Sequence, residues 1–221
     1  MSRRTLLVAL AIAVPPLVLA AVGITHPTRL NADSAIYWRD LHIGILAVFP
    51  LLGFIPWLIV RGRNRTVSWA AGILGFIYAS FYTALDVLAG IGAGGLEHAG
   101  MSMAKSTVYT LGDQLGLVGS VALLVGVILA GVFTISTSGV RALPGTVVIA
   151  VGALLFLTRH IFFPVGVIGQ LCLASDMRGN QHCFFVFLCR QNLAQLEQHI
   201  ICRLLIESFC RFVKQPQRHL P

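Results

Sequence analysis

The chain has 221 residues, of which 57% are hydrophobic and only 11% charged. Soluble domains carry about 25% charged residues, so the composition points to a membrane protein whose partner is the lipid bilayer. A net charge of +8 would suit nucleic acid in a soluble protein. Here the arginines sit in short loops between apolar runs and no basic stripe interleaves with aromatics, which excludes nucleic-acid binding and fits the positive-inside rule.

Arg3 and Arg4 precede an apolar run over residues 5–25. A cleaved signal peptide has an apolar core of about 7–15 residues, and this run is long enough to span, so an uncleaved first helix is expected, kinked at Pro15-Pro16. A polar loop then carries His26, Asp33, Trp38 and Arg39. A second span is predicted over 41–60, with His42 at its start and Pro50 and Pro56 inside. Arg61, Arg63 and Arg65 form a dense basic turn. Together with Arg3 and Arg4 it predicts a cytoplasmic N-terminus in a bacterial inner membrane.

The third span, 67–91, contains the stretch around which the rest is organised. Tyr78, Tyr82, Asp86 and Gly90 fall at i, i+4 spacing, so a helix places them on one face. An intramembrane carboxylate at a helix centre costs about 2.5–3.5 kcal/mol on insertion scales and therefore faces the protein interior. Ala71, Gly75 and Ala79 form a small-residue ridge for close helix packing. An outer loop follows with Glu97, His98 and Lys105. The fourth span is predicted over 115–136, after Gly112-Asp113, and the fifth over 146–163, with Arg159 and His160 near its end. Residues 164–174 form a partial sixth span, too short to cross.

The last fifty residues differ in kind. All five cysteines lie there, and of 22 glycines only Gly179 lies beyond Gly169. Residues 175–221 read as an atypical tail, either frame-shifted or an amphipathic segment on the inner leaflet. The cysteine spacings contain no CxxC pair, so they indicate no metal site.

Several motifs occur together: His26-Pro27, Ala35 through Trp38 to Leu41-His42, Phe49-Pro-Leu-Leu-Gly53, Ala84-Leu-Asp-Val-Leu-Ala-Gly-Ile-Gly92, Gly112-Asp113 and Arg159-His-Ile-Phe-Phe-Pro-Val-Gly-Val167. Over about residues 20–168 the chain resembles an uncharacterised family of small bacterial polytopic membrane proteins. That resemblance implies a bundle of about six helices in a membrane and supplies no catalytic residue; it leaves any cofactor unknown. This chain departs from it after Val167, where the family continues as a full last span.

Threading five spans from a cytoplasmic N-terminus carries His26, Trp38, His42, Asp86, Glu97, His98, Asp113, Arg159 and His160 to the outer side. The fold expected is an all-α transmembrane bundle. Its function divides three ways. An outward-facing pocket for a small ligand or ion would use Asp86 and Asp113 as acceptors and His42 and His160 as ligands or proton carriers, with Tyr82 alongside. A purely structural cluster would pair Asp86 with Arg159. A redox protein would hold haem or a metal between His42 and His160, though no haem motif accompanies them.

Overall fold

The computed structural model describes residues 2–175; the reading of 176–221 as an atypical tail lies outside the described residues. The described chain is helical and, among its residues, has no strand. Four helices are long and apolar enough to cross a membrane: Arg3–Thr25, Arg65–His98, Ser102–Ser138 and Val140–Arg159. Counting Ala35–Ile45 with Phe49–Val60, a pair bent by 48°, makes five. This matches the all-α bundle of five long elements read from the sequence.

Helix α1 (Arg3–Thr25) keeps Pro15 and Pro16 inside the helix, both buried. Helix α2 (Ala35–Ile45) and α3 (Phe54–Val60) flank a 3₁₀ turn at Phe49–Gly53. Pro50 is the cause: it lacks an N–H and its ring excludes an uninterrupted α-helix through that point. The second span is therefore bent, and begins earlier than residue 41. Helix α4 (Arg65–Leu85) starts on an Asn64 cap, whose side chain accepts from Val67 N at 3.0 Å. It runs into a π-helical segment, Asp86–Gly92, and then α5 (Ala93–His98). Helix α6 (Ser102–Ser138) starts thirteen residues before the predicted boundary. Lys105 and Asp113 interrupt the apolar pattern but leave helix propensity intact.

Helix α7 (Leu143–Arg159) and the short α8 (Val165–Leu173) are the last elements among the described residues. Helix α6 packs on α4 and on α7, α7 on α8, α8 on α1, and α1 on the bent second span, which returns to α4. The ring is thereby closed, and α8 fills the gap between α7 and α1. It holds the place of the partial sixth span. Leu19, Phe49, Tyr78, Leu123, Ile149, Phe156 and Leu173 form the core, each buried.

Small residues set the closest approaches. Gly112, Gly116 and Gly119 of α6 face Ala89, Leu85 and Tyr82 respectively, an antiparallel ladder. On the opposite side Gly75 lies against Gly53: a Cβ on either would enter the other's carbonyl oxygen. Gly75, the middle residue of the predicted Ala71–Gly75–Ala79 ridge, thus packs closely on the 3₁₀ turn.

Candidate functional site: a histidine and carboxylate cluster

Alternation of the helices gives the bundle two chemically distinct ends. Arg63 donates to Thr137 Oγ1 (2.5 Å) and Ser138 Oγ (3.1 Å), tying the α3–α4 turn to the end of α6. At the other end the chain ends α1 at His26, begins α2, enters the π segment and leaves α7 at His160. Three of these positions meet. One ring nitrogen from each of His26, His42 and His160 lies within 4.8 Å of the others.

Each ring is held by its Nδ1. His26 Nδ1 lies 2.7 Å from the Pro27 carbonyl and His42 Nδ1 2.6 Å from the Trp38 carbonyl. A carbonyl only accepts, so both Nδ1 atoms carry the proton and both Nε2 atoms present a lone pair. His160 Nδ1 is hydrogen-bonded to the Tyr82 hydroxyl, which can donate or accept; when the hydroxyl accepts, Nε2 is left with its lone pair. His26 Nε2 is buried and has no hydrogen-bond partner.

Packing fixes the rings as well. His26 stands edge-on to Trp38 at 4.7 Å, His42 at 5.1 Å, His160 at 5.8 Å and Phe162 at 4.9 Å between centroids. His42 stacks on Trp38, and His160 stacks on Phe49 and Tyr82. The Trp38 indole N–H donates to the Ala89 carbonyl at 3.1 Å, joining α2 to the π segment. His160 has φ +50°, in the region that favours glycine. A non-glycine residue there costs about 1–3 kcal/mol, and such residues cluster at functional sites.

The fourth group is Asp86. It is fully buried at the start of the π segment, and neither carboxylate oxygen has a hydrogen-bond partner. Its Oδ1 lies 3.8 Å from His42 Nε2. π-Helical turns occur mostly as single insertions in α-helices, frequently at functional sites. Gly90, one turn on, makes room: a Cβ there would clash with the His42 ring. The predicted face of Tyr78, Tyr82, Asp86 and Gly90 is buried throughout.

Charge in the cluster is disfavoured. Burial holds the His26 imidazole below the ordinary 6.5, against the opposing effect of the Pro27 carbonyl. His160 is held well below it, first by burial and then by His26 and His42. Neutral imidazoles are the form that binds metals.

The sequence-predicted residues thus separate. His42, Tyr82, Asp86 and His160 come together, whereas Asp113 is exposed on α6. His98 is exposed, and Glu97 pairs with Lys105 at 2.8 Å. The suggested Asp86–Arg159 bridge is not formed: Arg159 is exposed and the basic group beside Asp86 is His42. His26 was placed at this end by the topology but not among the ligand residues; it is the hub of the ring contacts. A macrocycle between His42 and His160 would have to displace the His26 ring, so these residues do not fit a bis-histidine haem.

No family model matches the sequence, and neither a curated protein nor a solved structure matches it.

Proposed function

We propose that this is a multi-pass integral membrane protein that binds a transition-metal ion in a three-histidine and one-carboxylate site at its outward-facing end. The convergence of one ring nitrogen from each of three histidines, beside a buried carboxylate with no hydrogen-bond partner, carries the reading. Some point lies within about 2.8 Å of three atoms that are mutually within 4.8 Å. Each nitrogen then moves inward by less than about 0.8 Å to reach the 2.0–2.1 Å of a zinc–imidazole bond. A tetrahedron with such arms has edges of about 3.4 Å; Asp86 Oδ1, 3.8 Å from His42 Nε2, lies outside the mutually close histidine trio and would move toward the other two rings to serve as fourth ligand.

The outer environment also supports a metal. Ligating histidines donate their other N–H to a carbonyl or a polar side chain, which orients the ring and raises its basicity. His26, His42 and His160 all have such a partner. Nitrogen-rich N₃O donors suit zinc, copper(II), nickel or iron(II) over calcium and magnesium. The arginines Arg3, Arg4, Arg61, Arg63, Arg65 and Arg141 support a cytoplasmic N-terminus in a bacterial inner membrane, with the metal end outward, as an ion sensor or carrier requires.

The test is zinc titration of the detergent-purified protein against a chromophoric chelator, in a background with the five cysteines changed to serine. One zinc per chain is expected, with affinity lowered at least about 100-fold in H26A, H42A or H160A. Zinc uptake unchanged in all three variants would identify the cluster as structural packing instead.

A further inference from the structure

The arginine end carries a second site. The α3–α4 turn and the first turns of α4 form an open groove of about 870 Å³, lined by Trp57, Arg63, Arg65, Ser68, Trp69 and Phe76 among others. Two of its features are opposed in chemistry. Trp69 (66% exposed) and Phe76 (71%) lie with Ile73 in one stripe along α4, at i, i+4 and i+7. That stripe runs about 10 Å down the helix at 1.5 Å per residue, the reach of the upper part of an acyl chain. Arg63 and Arg65 line the same groove.

Among the described residues these arginines have no acidic partner. Every acidic residue within the described residues (Asp33, Asp40, Asp86, Glu97 and Asp113) lies on the histidine side of the chain's helical alternation. None of Arg61, Arg63 and Arg65 makes an ion pair among the described residues. Arg63 is nevertheless fixed: its hydrogen bonds to Thr137 and Ser138 and its position over the Phe133 ring, 5.3 Å from the centroid, hold its charge in place. Arg61 lies over Trp57 at 5.2 Å. Fixed positive charge at the mouth of an apolar groove complements one kind of occupant, a phosphate joined to hydrocarbon.

We infer that this groove is a binding site for an anionic phospholipid. The headgroup phosphate is held by Arg63 and Arg65, and the first half of one acyl chain lies on Trp69, Ile73 and Phe76. Trp57 and Trp69 flank the interface level, where indole rings favour residence. Ser68 is not a headgroup donor, because its hydroxyl is committed to the Val60 carbonyl at 3.1 Å. The inference rests on the membrane reading and is independent of the metal site.

The protein is tested whole, reconstituted into bilayers containing brominated phosphatidylglycerol or brominated phosphatidylcholine at matched mole fractions, with tryptophan quenching as the readout. Trp57 and Trp69 report the groove; Trp38 is 3% exposed at the far end. Each basic residue near an anionic headgroup contributes about fivefold in affinity, so phosphatidylglycerol is preferred by about tenfold or more. R65Q alters an exposed first-turn residue, and should lower that preference by about fivefold while quenching by phosphatidylcholine stays the same. Equal quenching of the unaltered protein by the two lipids overturns the inference while leaving the membrane reading intact. A preference untouched by R65Q also overturns it. Quenching by neither lipid removes the membrane reading itself.

Discussion

Gly90→Ala probes the cluster without touching a ligand. A Cβ at Gly90 would lie 2.5 Å from His42 Cγ and 2.9 Å from His42 Cβ, against the 3.4 Å at which ordinary contact begins. The ring edge at Cδ2 is nearer still, so the ring must retreat by about 1 Å or more. It cannot do so freely, because Trp38 stacks on it and the Trp38 carbonyl holds Nδ1 at 2.6 Å. Overpacking of this kind costs about 1–3 kcal/mol, partly offset by the roughly 0.5–1 kcal/mol that alanine gains over glycine within a helix. The net expectation is about 0–2.5 kcal/mol of destabilisation. Metal sites tolerate about 0.2 Å in ligand distance, so zinc affinity should fall about 10–100-fold. Chemical denaturation of the metal-free protein and chelator competition read the two effects separately. Gly44, in α2 near His42, is the matched control: nothing lies within 4 Å of a Cβ there, so G44A should be neutral or slightly stabilising and bind zinc normally. Unaltered zinc affinity in G90A, alongside lost affinity in H42A, would show that the His42 ring does not need the position described.

Three further outcomes follow from the packing and the charges. Gly75→Ala directs a methyl group into the Gly53 carbonyl, where backbone must move, and should cost about 3 kcal/mol or more, measured as a lowered denaturation midpoint. Asp86→Asn replaces a buried carboxylate that has no hydrogen-bond partner; without metal it should match or exceed the wild type in stability, while zinc affinity falls about tenfold or more. A loss of metal-free stability in D86N would instead assign Asp86 a structural bond. For pH, His26 and His160 have folded values below the ordinary 6.5, so below 6.5 the unfolded chain binds more protons than the fold. Their contribution to the stability of the metal-free protein should be constant above about pH 6.5 and fall as pH drops beneath it, by at most about 1.4 kcal/mol per pH unit for each histidine. The difference between wild type and H26A in a denaturation series between pH 7.5 and about 5 checks the sign.

Much of this architecture is written in the pattern of the chain. Apolar runs between arginine turns identify the long helices, because nothing else accommodates so much hydrocarbon. The i, i+4 spacing from Tyr78 to Gly90 marks the buried face, since one helix face is all that spacing can produce. Where the pattern misleads, the reason is local. Pro50 bends the second span through a 3₁₀ turn whose angle depends on what packs against it. Lys105 and Asp113 hide the first thirteen residues of α6 from a hydropathy pattern, because helix propensity and not polarity decides there.

The site was legible in depth but not in membership. Alternation of spans places His26, His42, Asp86 and His160 at one end, and Asp113 and His98 there too. Which of them face inward depends on rotations about each helix axis that no hydropathy run records. His26 belongs to a loop, and its ring is aimed by a bond from its own Nδ1 to the next residue's carbonyl. His160 is aimed by a left-handed backbone angle at the end of α7. The π segment, which carries Asp86, has no sequence signature beyond its glycines.

X-ray absorption at the zinc edge of the loaded protein addresses the proposed site in a single measurement. Three imidazoles and one oxygen donor at about 2.0–2.1 Å are predicted for the wild type in the cysteine-free background, falling to two imidazoles in H26A. A zinc spectrum with one imidazole or none, unchanged in H26A, would contradict the account and return His26, His42 and His160 to the role of packed aromatic rings.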